Sequence, residues 1–181
     1  MSYIDFKEFK ASDHYIDLAF VLDDTAGVLR KGTLVGIKTS SKKLVMTRRT
    51  HATGAAEGDT GAKILIPVTA GEESRFRVGI DSVYFSHGGV ETNLGLVTEV
   101  DTVNHKIKVT NTSTIAAGDP IYVKDGSEVA IGILDEDGEG SATIETTRKM
   151  KKVFMHGIVY KSSISNYYSE ADAQLPLIKF I

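Results

Sequence analysis

The stretch AAGDPIYVKDGSEVAIGIL, Ala116–Leu134, decides the fold class. Gly118–Asp119–Pro120 opens a strand, Ile121, Tyr122 and Val123 build it, and Asp125–Gly126 turns it. Val129, Ile131 and Ile133 then alternate with other residues, as one face of a second strand does. An Asp-Gly pair between two such runs is a hairpin signal, because tight hairpin turns need positive φ. The unit is well-punctuated β structure that carries almost no chemistry. It either frames an active site elsewhere or belongs to a chain whose β surface is its product.

The same rhythm extends in both directions. Leu34, Val35 and Ile37 lead into the hydroxyl-rich turn Thr39–Ser41, and Leu44, Val45 and Met46 leave it. Residues 48–61, RRTHATGAAEGDTG, read as a loop. AKILIPVTA is a short strand, and Pro67 argues against a central ladder position for it. In SRFRVGIDSVYFS, Phe76, Val78 and Ile80 alternate with Arg75, Arg77 and Asp81 as a strand would. The clearest hairpin has arms Leu96–Val100 and Ile107–Val109, with Asn104 supplying positive φ in its turn. Residues 135–142, DEDGEGSA, form an acidic turn, and TIETTRKMKKVFMHGIVYKSSI reads as β structure bent at Gly157. Ser169–Ala173 has the makings of one helical turn, with Ser169 as cap and Asp172 at the third position.

The two ends differ from the middle. In residues 1–24 the apolar Tyr3, Ile4, Phe6, Phe9, Tyr15 and Ile16 fit neither a strand nor a helix period. They read equally as a first edge strand or frayed terminus and as an arm that orders on a partner, with apolar burial offsetting the entropy of ordering. The C-terminal QLPLIKFI is apolar enough to be a core strand or an interface, and these two readings carry equal weight.

Composition agrees with strands joined by glycine turns. The 181 residues include 17 Gly, only three Pro and no Trp, and Val, Ile and Thr recur. A chain of this length can bury roughly 70% of its unfolded surface, enough for a core without staples. There is no Cys, so disulfides and thiolate metal sites are excluded. The net charge of −3 is dispersed, with no basic block for nucleic acid and no apolar run long enough for a bilayer. The first 20 residues lack the apolar core of a signal peptide, so a protein made and used in a cytoplasm, or in something assembled there, is expected.

Candidate chemistry is sparse. No two of His14, His51, His87, His105 and His156 sit at metal-ligand spacing, so no metal and no cofactor are expected. DEDGEG has alternating oxygen donors at Asp135, Asp137 and Glu139, but β residues follow where a calcium-loop helix should be. SHGG at Ser86–Gly89 lacks the nucleophile elbow of a hydrolase, and GDTGAK at Gly58–Lys63 lacks P-loop spacing. No nucleophile, base and orienting partner occur together, so an enzyme is not expected.

Two segments resemble lambda-type head decoration proteins of tailed bacteriophages. LVGIKTSSKKLVMT, Leu34–Thr47, is similar to that family's early strand–turn–strand. AIGILDEDGEGSATIETTRKMKKVFMHGIVY, Ala130–Tyr160, is similar to its next block, and LPLIKFI to its terminal strand. The resemblance implies a mainly β fold: a small β-barrel or β-tulip-like decoration domain at 25–47 and 130–181, a hairpin-rich lobe inserted at 48–129, and a flexible capsid-binding arm at 1–24. It implies a non-enzymatic homotrimer on the outer surface of an expanded head, made in the host cytoplasm, whose partner is the major capsid protein. It places Tyr3, Ile4, Phe6, Phe9, Tyr15 and Ile16 in the arm. Leu175, Leu177, Ile178, Phe180 and Ile181 are the trimer-interface candidates. The alternatives are another β-rich virion component of the tail, fibre or minor capsid, or a carbohydrate-binding surface module using Tyr84, Phe85 and Tyr122.

Overall fold

The computed structural model describes residues 15–59, 61 and 63–181. Strand outweighs helix by 45% to 9%, so the chain is mainly β. It divides into two compact units. One holds the described residues up to Thr47 together with Asp125–Ile181, and the other is Arg48–Lys124.

The first unit contains β1 (Ile16–Val21), β2 (Gly27–Leu29), β3 (Leu34–Ile37) and β4 (Leu44–Met46) from its first segment. Its second segment adds β12 (Gly132–Leu134), β13 (Gly138–Gly140), β14 (Met150–Val159) and β15 (Ile178–Phe180). Two one-turn helices, α1 (Thr146–Lys149) and α2 (Ala171–Gln174), lie in the same segment. The main sheet runs β1-β14-β12-β3-β4, with β15 parallel to the far end of β14. Both faces are buried. Leu34, Ile133 and Phe154 are cross-strand neighbours on one face, covered by Ile164, Tyr168, Ala171, Leu175 and Ile178. Val35, Leu134 and Val153 form the other, covered by Leu22, Ala26 and Leu29. That two-sided burial explains the continuous apolar runs in these strands. A bridge between Leu22 and Leu44 brings the two ends of the sheet together without closing a barrel.

The second unit contains β5 (Arg49–His51), β6 (Glu57–Asp59), β7 (Lys63–Pro67), β8 (Ser82–His87), β9 (Val90–Asp101), β10 (Lys106–Val109) and β11 (Pro120–Val123). Its single sheet runs β5-β11-β8-β9-β10-β7-β6. It curls around Ile66, Val83, Phe85, Leu94, Val97, Ile107 and Ile121, and an Ala52–Val68 bridge joins the chain just after β5 to the chain just after β7. Pro67 pairs with Lys106 on β10, and β6 reaches only as far as Leu65 on the other side, so the missing N–H of Pro67 breaks no ladder there.

Several sequence expectations are corrected. β3–β4 and β9–β10 are hairpins, but the left-handed residue in the β9–β10 turn is His105, at φ 54°, and not Asn104. The Asp101 carboxylate fixes that turn by accepting from Val103 N–H and Asn104 N–H. Asp125–Gly126 is not a hairpin turn. β11 pairs with β5 and β8, whereas β12 pairs with β14 and β3. Gly126 has φ 97°, and a Cβ there would lie 2.3 Å from Thr39 Oγ1, so this glycine permits a close crossing of the β3–β4 turn.

The alternation across Phe76–Ile80 is not a strand either. Phe76 is buried, but Val78 and Ile80 are exposed, in a loop held by Asp81 bonding Arg77 N–H at 2.8 Å and by Gly79 N–H on Val97 O. The predicted helical turn forms one step later, at Ala171–Gln174, with Glu170 rather than Ser169 at its N-cap.

Candidate functional site

The first element of the described chain is the candidate interaction element. β1 pairs on one side with β14, from Val21 opposite Met150 to Ile16 opposite His156. It is terminal in the sheet, so among the described residues no strand pairs with its outer side along this length. Tyr15, Ile16 and Leu18 are 47%, 55% and 49% exposed, in a strand that carries neither Lys nor Pro. Natural edge strands are normally blunted by such residues, and an exposed apolar edge is a template for pairing. The edge of the other unit shows the contrast: β6 is three residues long and reads Glu-Gly-Asp.

The reading of residues 1–24 as an arm is therefore corrected in its second half. Ile16–Val21 is a sheet strand, Leu22 is fully buried, and Asp23 is 4% exposed. Phe20 and Leu22 have apolar cores to join, which an arm does not. The Tyr15 ring lies 6.1 Å from that of Phe154. Tyr3, Ile4, Phe6 and Phe9 lie outside the described residues. Leu18 was missed from sequence, although the period-2 run Ile16, Leu18, Phe20 carried the signal.

The tail divides. Leu175 and Ile178 are core residues at 5% and 4% exposure, and Phe180 packs at a tilt against Tyr167, with ring centroids 5.5 Å apart. Leu175 and Ile178 pack into the core of their own unit, the reading that the sequence weighed equally with an interface. Leu177 and Ile181 remain exposed, at 64% and 51%. Both meet the far end of β14: Gly157 N–H donates to Leu177 O, and Ile181 N–H to Val159 O.

The three aromatic residues considered for glycan binding, Tyr84, Phe85 and Tyr122, do not form an open platform. Phe85 is buried in the core. Tyr122 is 8% exposed, lies beneath the Arg49 guanidinium at 5.3 Å, and donates from its hydroxyl to Glu91 at 2.6 Å. Lys124 sits over the Tyr84 ring at 5.6 Å and also bonds Glu91. The hydrogen bond from Lys124, joined by that from Tyr122, holds the Glu91 carboxyl below the usual carboxylate range.

The acidic turn is engaged by the chain itself. Asp135 pairs with Lys31 at 3.2 Å, Asp137 accepts from Lys31 N–H at 2.8 Å and pairs with Arg30, and Glu136 accepts from Lys152 N–H. Among the described residues no group of three or more His, Asp or Glu could hold a metal ion. His87 lies on the buried Asp119, with Nδ1 2.9 Å from Oδ1. Burial raises the Asp119 carboxyl, but the Ala116 N–H and His87 outweigh it and hold it below its ordinary value. No helix in the described residues is long and apolar enough to cross a membrane. No family model matches the chain, and no curated protein or solved structure matches it.

Proposed function

We propose that this protein is a non-enzymatic virion component that binds the outside of an expanded phage head and cements the lattice of its major capsid protein. The observation that carries the reading is the exposure of Tyr15, Ile16 and Leu18 along β1, the terminal strand of its sheet among the described residues. The edge continues directly from a segment whose sequence holds Tyr3, Ile4, Phe6 and Phe9. Strand addition would supply main-chain hydrogen bonds for affinity, and alternate side chains would fill pockets on the shell. The sequence likeness of Leu34–Thr47 and Ala130–Tyr160 to decoration proteins supports the same reading, with the first unit as the tulip-like decoration domain. The protein acts as a trimer in this account, Leu177 and Ile181 being the tail residues left for a subunit contact, and three arms raise avidity above that of one.

The test is co-sedimentation with expanded heads stripped of decoration protein. The truncation removes only residues 1–14, because a longer one would delete β1 and the buried Leu22. The full chain is expected to bind saturably. Loss of residues 1–14, or Leu18→Lys on the edge, is expected to weaken binding while leaving the fold intact. Absence of binding by the full chain would overturn the proposal in favour of a tail, fibre or minor capsid role.

A further inference from the structure

We propose that His105 is a protonation-dependent latch that fastens the tip of the β9–β10 hairpin to the 3-10 turn Glu72–Arg75. Glu73, in that turn, is 2% exposed. Its Oε1 faces His105 Nδ1 at 3.5 Å, a loose contact, and its Oε2 has no hydrogen-bond partner among the described residues. A buried carboxylate left half-satisfied is costly, so this one is poised to gain from any cation brought against it.

The surrounding charges are committed elsewhere. In the turn itself, Glu72 binds Arg75 at 2.9 Å and accepts from Thr50 of β5, while Arg75 also donates to Arg49 O at 2.6 Å. From the segment preceding β8, Asp81 engages Arg77 and the buried Arg48. On β9, Asp101 holds Val103 and Asn104, and on β10, Lys106 binds Glu57 at 2.7 Å.

His105 is well placed for the task. Its carbonyl receives Val68 N–H at 2.9 Å, which pins the backbone, and its side chain is 41% exposed, so a proton reaches the ring from solvent. Imidazolium donates from both nitrogens, so protonation removes any dependence on tautomer and turns the loose contact into a charged pair. The latched form takes up a proton. It is therefore firm when the imidazole is charged and loosens when the imidazole is neutral. The hairpin tip carries Val103, 83% exposed, so the latch sets how rigidly that apolar residue is presented.

Amide hydrogen exchange across residues 101–107, corrected for intrinsic rates and followed from about pH 8 to about pH 6, tests this. Protection is expected to rise several-fold on acidification. The rise should vanish in His105→Asn, which keeps a residue tolerant of the left-handed turn, and in Glu73→Gln. It should persist in His87→Asn. Protection independent of pH in the unmodified protein would overturn the proposal, as would a pH dependence that survives both latch substitutions. The unmodified protein decides the matter alone if a variant fails to fold.

Discussion

Asn166 shows how one buried polar side chain can hold a unit together. Its Oδ1 accepts from Leu34 N–H at 2.6 Å, and its Nδ2 donates to Leu34 O at 3.0 Å and Thr47 Oγ1 at 2.9 Å. It is 2% exposed, so Asn166→Ala leaves Leu34 N–H without that bond in the interior. Each buried group so orphaned costs about 1–3 kcal/mol, and urea unfolding of the variant should show a loss of at least about 2 kcal/mol. Asp23 gives a second prediction. Burial raises its carboxyl, but hydrogen bonds from Ser41 and Thr25 and the charge of Lys38 outweigh this and bring it down to about 2. A depressed carboxylate adds stability that is complete above its unfolded pKa of roughly 3.9 and is lost as pH falls through its folded value. Asp23→Asn should therefore flatten the acid limb of a thermal stability profile between about pH 4 and about pH 2. Neither residue was legible in the sequence. Asn166 sits in SISNYYSE, which has no periodicity, and its partners lie more than a hundred residues away.

At the scale of elements, local patterns were readable where strand partners are neighbours in sequence, as in β3–β4 and β9–β10. They misled where a tertiary constraint intervened. Asp125–Gly126 has hairpin chemistry, yet it marks the point where the chain leaves one core and joins another. β9 also changes phase twice. Bulges opposite Val83–Tyr84 and Lys108–Val109 bring Leu94 and Val97 inward and leave Leu96 39% exposed. No period-2 template follows such shifts. Gly95, at φ 79°, serves the first bulge, and a Cβ there would meet Thr110 Oγ1 at 2.0 Å. Gly95→Ala should accordingly lower unfolding stability by about 1–3 kcal/mol, through backbone strain and overpacking together. A change below about 0.5 kcal/mol would mean that β9 shifts its register at no cost.

At the scale of the molecule, each unit has its own core, and the second is tied at its ends. Val123 N–H donates to Arg48 O at 3.1 Å, so the strands that begin and end this unit are neighbours. In the first unit, Thr47 bonds Leu34 and Asp125 bonds Thr39, both on the β3–β4 hairpin. Adjacent chain ends are the mark of an insertable domain. Replacing residues 48–124 with a short Gly-Ser linker should leave a chain that folds cooperatively with a β-type circular dichroism spectrum. The mainly β class was legible in composition and turns. The path of β1 into the sheet was not, because its pairing partner β14 lies far along the chain.

The proposed binding of the β1 edge and the segment before it to a phage head is tested most directly by co-sedimentation of the full chain with expanded, decoration-free heads. Saturable binding that weakens on removal of residues 1–14 and with Leu18→Lys is the predicted result. Failure of the full, folded chain to sediment with heads would contradict it.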